Sequence, residues 1–485
     1  MQRAALAARI FVRSPGFAAV TVITLALGIG ANTAIFSILS ALVLRPLPVR
    51  QPERLVELSG IYRQGRKVPF SFPMFQEVER GQRVFSGLFG WSGSAAFNVE
   101  ANGALFLSDV RAVTGNYYSE LGATPFLGRL LAPEDVGRSA GRQVAVIGYG
   151  FWERRFGRDP AVVGKAIRIE GQPFTIIGVT RKWFTGMTPG KPPEVTIPIT
   201  AAPLDRESRS TLWVFVTGRL NDGITIEQAR AQLQSFWPEV LAATVPTESP
   251  GERRQSFLSM GLEVESAATG IKADLRSQFE RPLYVLMGVV ALILLIACVN
   301  LASLALARAT ARSHEVSLRV ALGASRWQIV RSLLAESVLL SATGALLALA
   351  LAYWGSRFLV SLMTEGTLIP IILDLRPDWR VFSFTAMLAI LTGLLIGLTP
   401  AWQASGKEPA SVLRRSERTL GRGVGRLGKA LIVTQVALSL VLLLGAGLLL
   451  RTFESLRTSN PGFQKADVLQ VNLYPRPEGY KNLDM

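Results

Sequence analysis

Apolar and polar positions fall in long blocks along this chain, and the blocks set its organisation. Five runs contain no Asp, Glu, Lys, Arg or His: residues 17–44, 283–307, 337–356, 381–402 and 431–450. A bilayer core is crossed by a helix of ~20 apolar residues, so each run predicts a membrane span. The first is longer than the ~7–15-residue core of a signal peptide. Leu44-Arg45-Pro46 is also a poor cleavage site, so this run predicts a retained anchor. Between the first two runs, residues 45–282 change to short strand-like stretches bounded by Gly, Pro and Asn. These are Gln143-Val-Ala-Val-Ile147, Ala166-Ile-Arg-Ile169, Phe174-Thr-Ile-Ile-Gly-Val179 and Leu212-Trp-Val-Phe-Val-Thr217. Gly171-Gln172 predicts a hairpin turn between two of them. Thr225, three residues before Gln228, predicts a capped helix over 225–236. Trp152 and Phe156 read as core, and Gly157, Pro160 and Gly164 as turn residues. The fold class is therefore an α-helical integral membrane protein with five predicted spans. A large extracytoplasmic α/β (α+β) domain is inserted between spans 1 and 2.

The polar stretch 308–336, between the second and third runs, has its own pattern. Glu315 and Arg319 stand four apart on one helix face, as do Val316 with Val320 and Leu318 with Leu322. Gly323 predicts the end of that helix. Ser325 and Gln328 have capping-box spacing, so a second helix restarts there and runs into the third span. The pattern predicts two helices meeting at a corner on the membrane surface. One reading is a surface for a soluble partner, and the other is a basic loop that holds topology.

Charge assigns the sides. The net charge is +17. Residues 1–16, 308–332 and 405–429 hold fifteen Lys/Arg against three acids, a net +12. Residues 45–282 hold 29 Lys/Arg and 24 acids. This is the positive-inside pattern, and it predicts a cytoplasmic N-terminus and an outer domain at 45–282. No basic face with base-reading or stacking elements stands out, so the charge does not point to nucleic acid. The single cysteine, Cys298, lies in the second run, and one cysteine cannot make an internal disulfide.

Chemistry is sparse. Gly423-x-x-x-x-Gly428-Lys429-Ala430 is a near miss to a phosphate loop, with Ala430 where a hydroxyl would bind Mg²⁺. The only histidine, His314, has no Cys or His partners for a metal site. No catalytic, cofactor or metal residues are assigned. The apolar runs carry no ionisable group for ion coupling. A transporter built this way must take its energy from a partner.

The corner carries a resemblance. Glu315-Val-Ser-Leu-Arg-Val-Ala-Leu-Gly-Ala-Ser325, then Ile329 and Leu334-Ala-Glu336, resembles the coupling segment of FtsX/MacB-type ABC permeases. Ser14-Pro-Gly-Phe17 through Leu25-Ala-Leu-Gly-Ile-Gly-Ala-Asn-Thr33, then Arg45-Pro-Leu-Pro48, resembles the opening of MacB-like permeases, closest to a duplicated-permease branch without its own ATPase domain. Thr114-Gly-Asn-Tyr-Tyr-Ser-Glu-Leu-Gly122, Pro125-x-x-Gly-Arg129 and Trp152-x-Arg-Arg-Phe-Gly-Arg-Asp-Pro160 resemble the MacB periplasmic core. Thr399-Pro-Ala-Trp402 and Pro409-x-x-Val-Leu413 resemble the end of an FtsX-like unit. The resemblance implies a cytoplasmic segment 1–16, a first span 17–44, a periplasmic core domain 45–282 and an FtsX-like domain 283–413. A basic linker at 414–429, a fifth span at 431–450 and an outer tail at 451–485 read as the start of a second, incomplete unit.

The resemblance further implies an inner-membrane permease worked by a separate cytoplasmic ABC ATPase, with no ATP site of its own. Glu315, Leu318, Arg319, Ala321, Leu322, Gly323, Ala324 and Arg326 are the expected ATPase-coupling residues. Gly28 and Gly30 fit a helix-packing face. The expected partners are that ATPase, the lipid bilayer, a second copy in a homodimer and a periplasmic adaptor or envelope protein. The alternatives are a non-transporting regulator of an envelope enzyme, or an orphan sensor or structural membrane protein.

Overall fold

The computed structural model describes residues 15–137, 143–246, 251–271, 275–311, 325–364, 371–405 and 426–458. The first element is α1 (Pro15–Leu39), which continues into a five-residue π segment, Ser40–Leu44. The first apolar run is thus helical to its end, with a widened last turn.

Beyond it the chain forms β1 (Leu55–Ile61), β2 (Lys67–Val68), α2 (Phe72–Gly81), β3 (Phe85–Ser92), β4 (Ala95–Ala101), β5 (Ala104–Val113), α3 (Tyr117–Leu121) and β6 (Pro125–Gly128). It continues with β7 (Val144–Ile147), α4 (Tyr149–Phe156), β8 (Ala166–Ile169), β9 (Gln172–Thr180), β10 (Val195–Pro198), β11 (Val214–Leu220), α5 (Ile226–Thr244), α6 (Gly251–Leu258) and β12 (Gly261–Ser266). One sheet takes all twelve strands, in the order β10-β7-β9-β8-β4-β5-β3-β11-β1-β12, with β2 on β1 and β6 on β9. Because β10 also pairs with β5, the strands β5-β10-β7-β9-β8-β4 close into a ring. Among the described residues only β10–β5 and β7–β9 are parallel. The expected α/β domain is therefore mostly antiparallel, with helices set against the sheet. Two apolar clusters pack within it; the larger includes Trp152 and Phe156 from α4 and Trp237 from α5, and the smaller includes Phe89, Trp91, Tyr117 and Tyr118.

Local chemistry explains the elements and corrects two boundaries. Thr225 Oγ1 accepts from Gln228 N at 3.2 Å while Gln228 Oε1 accepts from Thr225 N at 2.9 Å, so α5 starts with a full capping box. It runs past the expected end at 236, through Pro238, to Thr244. Leu233, Trp237, Val240, Leu241 and Thr244 stay buried, and that apolar face outweighs the hydrogen bond lost at proline. In the β8–β9 hairpin Ile169 faces Gln172, so the turn is Glu170-Gly171, one residue earlier than expected. Both turn residues have positive φ, 47° and 83°, as a tight hairpin with right-handed twist requires.

Two buried arginines hold the sheet. Arg111 is fully buried and donates to Asp109 Oδ2 (2.9 and 3.1 Å), to Lys191 O (2.7 Å) and to Thr188 Oγ1. Arg219 donates to Gln51 O at 3.1 Å and to Glu120 through its backbone oxygen and carboxylate. Near the β12 edge, Lys67 bridges Glu263 (3.1 Å) and Glu265 (2.7 Å). Glu57 faces Glu265 in register. Burial pushes the Glu57 carboxyl up to about 7, with Lys67 opposing and Glu265 and Glu263 reinforcing.

The remaining elements are long helices: α7 (Leu275–Ala311), α8 (Arg326–Thr364), α9 (Trp379–Ser405) and α10 (Arg426–Thr458). Among the described residues five helices are long and apolar enough to cross a membrane: Pro15–Leu44, Arg276–Arg308, Val330–Thr364, Trp379–Leu398 and Gly428–Ser455. The chain divides into a helical unit, built on α1 and α7–α10, and a sheet unit, which also takes in the short segment Met363–Asp374. Arg45 Nη1 donates to Asp374 O at 2.9 Å within the sheet unit.

Candidate functional site

The helical unit is organised around α1. Its most apolar window is 61% buried, against 28%, 29%, 39% and 0% for the other four, so α1 is the central helix. Close approach is possible because its contact residues are small. A Cβ on Gly28 would stand 2.7 Å from Leu294 Cδ1 of α7. A Cβ on Gly30 would stand 3.2 Å from Leu351 Cβ and 3.3 Å from Ala348 O of α8. Reciprocally, a Cβ on Gly344 of α8 would meet Leu25 Cβ at 3.0 Å. Apolar burial gives no drive between helices in lipid, so such van der Waals contact and interhelical hydrogen bonds hold a bundle.

Polar groups add direction. Asn32, 2% exposed, donates to Val290 O of α7 at 3.0 Å and to Gly28 O of its own helix at 2.9 Å. Thr385 of α9 gives its proton to Val381 O at 2.8 Å. It therefore accepts from Thr33, 3.2 Å away. Phe36 stacks on Phe384 with centroids 4.1 Å apart. Different sides of α1 thus touch α7, α8 and α9. A second small-residue seam joins α8 to α9 and was not singled out from sequence. A Cβ on Gly393 would meet Ser341 Oγ at 3.1 Å, and one on Gly397 would meet Ser337 Oγ at 3.0 Å. The four-residue spacings of 337/341 and 393/397 were its only sequence signal. α10 buries none of its apolar window against the described residues.

The expected coupling residues Glu315, Leu318, Arg319, Ala321, Leu322, Gly323 and Ala324 lie outside the described residues. So do the N-terminal surface segment through residue 14, the linker 406–425 and the tail from 459. Arg326 is the first residue of α8. The flanks of the corner are described. Gln328 N donates to Ser325 Oγ at 3.3 Å, and Ser325 N donates to Gln328 Oε1 at 3.0 Å. This reciprocal pair satisfies two of the donors a helix start leaves open. On the other flank Arg308, in the last turn of α7, lies over the Phe17 ring at 4.5 Å and ties that end to the start of α1. No group of His, Cys, Asp and Glu suited to a metal ion occurs among the described residues.

Comparison with known proteins follows the same division. The family model for the MacB-like periplasmic core domain matches residues 18–236, and that for the FtsX-like permease C-terminal matches residues 287–409. The pyoverdine export ATP-binding/permease protein PvdT of Pseudomonas syringae pv. syringae is 26% identical over 56% of this chain and 37% of its own. The uncharacterized ABC transporter permease YknZ of Bacillus subtilis is 25% identical over 57% of this chain and 62% of its own. The macrolide export ATP-binding/permease protein MacB of Bdellovibrio bacteriovorus is 26% identical over 80% of this chain and 56% of its own. The chain thus spans about a third to three fifths of the length of these relatives. The two domain models match in the order in which the chain lays down its sheet unit and its later helices, and the chain belongs to the MacB/FtsX-type ABC permeases, multi-pass membrane proteins with a periplasmic domain.

Proposed function

We propose that this chain is a permease subunit that couples ATP hydrolysis on a separate cytoplasmic ATPase to movement of its extracytoplasmic domain, for export or envelope work. In this reading 1–16, 308–332 and 405–429 face the cytoplasm, where the basic charge concentrates. The ATPase docks at the corner formed by Glu315, Leu318, Arg319, Ala321, Leu322, Gly323, Ala324 and Arg326. A push there reaches α7 and α8, the helices on either side of the corner.

The observation that carries the reading is the packing of both helices on α1. Gly28 and Asn32 hold α7, and Gly30 holds α8, at near-backbone contact. α7 is one unbroken helix of 37 residues, ~55 Å at 1.5 Å per residue, and it leads from the end of the sheet unit to the corner. A displacement of either helix bears on α1, and β1 follows α1 in the chain after residues 40–54. The names of PvdT and MacB support export, and the family supports an ATPase partner. A homodimer and a periplasmic adaptor belong to the same proposal.

The test is co-purification of the full-length protein with its ATPase in detergent, using Leu322→Asp and Gly323→Val. The expected result is loss of the ATPase, or of its stimulation by the permease, in both variants. Unchanged complex and unchanged ATPase activity in both would overturn the coupling assignment.

A further inference from the structure

β7 and β9 are parallel neighbours, with Ile147 in register with Val179. The residues just beyond them, Gly148–Gly150 and Thr180–Lys182, therefore emerge side by side and line one shallow cleft. The crevice at the carboxyl ends of parallel strands is where such sheets commonly take ligands. Three kinds of group converge in it.

The first is the start of α4. Its N-cap, Gly148, makes no side-chain cap. Glycine is required there, because a Cβ would lie 2.5 Å from Pro193 O. The amides of Tyr149, Gly150 and Phe151 have no acceptor among the described residues. Such orphan donors at a helix N-terminus favour an anion. The second is independent of the helix. Thr180, 4% exposed, lines the cleft, and its hydroxyl has no hydrogen-bond partner among the described residues. The third is charge. Arg154 folds back over Gly150, where a Cβ would stand 2.9 Å from Nη1, and pairs with Glu194. The other Glu194 oxygen accepts from Asp109 N at 3.2 Å. With the cleft's one carboxylate so engaged, Arg181 and Lys182 have no acidic partner among the described residues. Lys182 instead lies 5.8 Å from the Tyr149 and Trp183 rings.

We propose that this cleft binds a phosphate-bearing anion. The α4 amides and the Thr180 hydroxyl take its oxygens, and Arg181 and Lys182 supply the balancing charge. A carboxylate offers two oxygens in one plane, fewer than these diverging donors can satisfy. A tetrahedral phosphate presents oxygens to all of them. The source is a phospholipid headgroup or free phosphate. Ile372 on the cleft rim belongs to the segment joining α8 to α9, two helices apolar enough to cross a membrane, and pairs with Gly190.

The experiment uses the full-length protein in a phosphate-free maltoside detergent and isothermal titration calorimetry. One arm titrates inorganic phosphate, and the other titrates short-chain phosphatidylglycerol. Saturable one-to-one binding is expected in at least one arm, and the arm that binds names the source. Arg181→Gln combined with Lys182→Gln should weaken it about tenfold or more, the equivalent of one charge-assisted hydrogen bond. Thr180→Val keeps the shape and should weaken it severalfold. Both cations are exposed, so the double variant keeps the fold, which an unchanged unfolding midpoint verifies. Absence of binding in both arms, or variants that bind like the wild type, overturns the proposal. Neither result bears on ATPase coupling.

Discussion

Replacing Gly30 by valine tests whether α1 is the hub of the bundle. A Cβ alone would sit 3.2 Å from Leu351 Cβ and 3.3 Å from Ala348 O. The second neighbour is backbone and cannot rotate away, and the valine γ-carbons reach further still. Overpacking of this kind costs about 1–3 kcal/mol. Gly30→Ala stops at the Cβ, and its contact strain is offset by the ~1 kcal/mol that alanine gains over glycine in a helix. Gly28→Ala meets Leu294 Cδ1 at 2.7 Å, but that atom ends a flexible side chain and can swing. The expected order of stability is therefore Gly30→Ala and Gly28→Ala near wild type, with Gly30→Val well below. The assay is built into the molecule. Cys298 is the only cysteine and is 2% exposed, packed with Leu25, Ile29 and Leu294. A thiol-reactive fluorophore will report the temperature at which this core opens. At roughly 2–4 °C per kcal/mol for a unit of this size, Gly30→Val should lower the midpoint by about 2–12 °C. A midpoint equal to wild type, or Gly28→Ala falling below Gly30→Val, would refute the account.

Two predictions concern the sheet unit. Arg111→Leu leaves Asp109 buried without its cation and should destabilise the unit by about 3–5 kcal/mol in denaturant unfolding, while Arg111→Leu with Asp109→Leu should recover much of that loss. For Glu57 the folded carboxyl is raised from 4.5 to about 7, so folding takes up a proton between those values. Its contribution is most favourable below pH 4.5 and is lost as pH rises to about 7. Glu57→Gln should therefore be more stable than wild type at pH 8 by up to ~3 kcal/mol and show little difference at pH 4.5. An equal gap at both values would show that Glu57 does not titrate this way.

The five apolar helices were legible because burial in lipid demands unbroken runs without charge, a signal that survives without any partner residue. The restart at Ser325–Gln328 was legible for a local reason, since a capping box lies within four residues. Gly28 and Gly30 stood out because paired glycines are costly inside a helix unless something packs on them. Gly393 and Gly397 carried the same meaning with less contrast, and their partners Ser337 and Ser341 lie on another helix. The ring closure was invisible, because β10 is only four residues long and finds β5 some eighty residues upstream. The anion cleft was hidden likewise, since Gly148–Gly150 and Thr180–Lys182 become neighbours only through the β7–β9 register. The Asn102-Gly103 turn between Ala101 and Ala104, with φ 49° and 76°, is a strong local hairpin signal that the sequence reading passed over.

The position of β1 has a consequence for how the protein is made. Among the described residues β1, the first strand of the sheet unit, is held between β11 and β12, the last two. Ile61 and Val214 are separated by about 150 residues of chain, which take about 8–30 s to synthesise at ~5–20 residues per second. For that interval β1 has neither of its long neighbours, and its row of backbone donors and acceptors is open to other chains. A ribosome stalled anywhere before Ser266 would release a product with an unsealed first strand. β1 is therefore sealed on both sides only once β12 has paired along it.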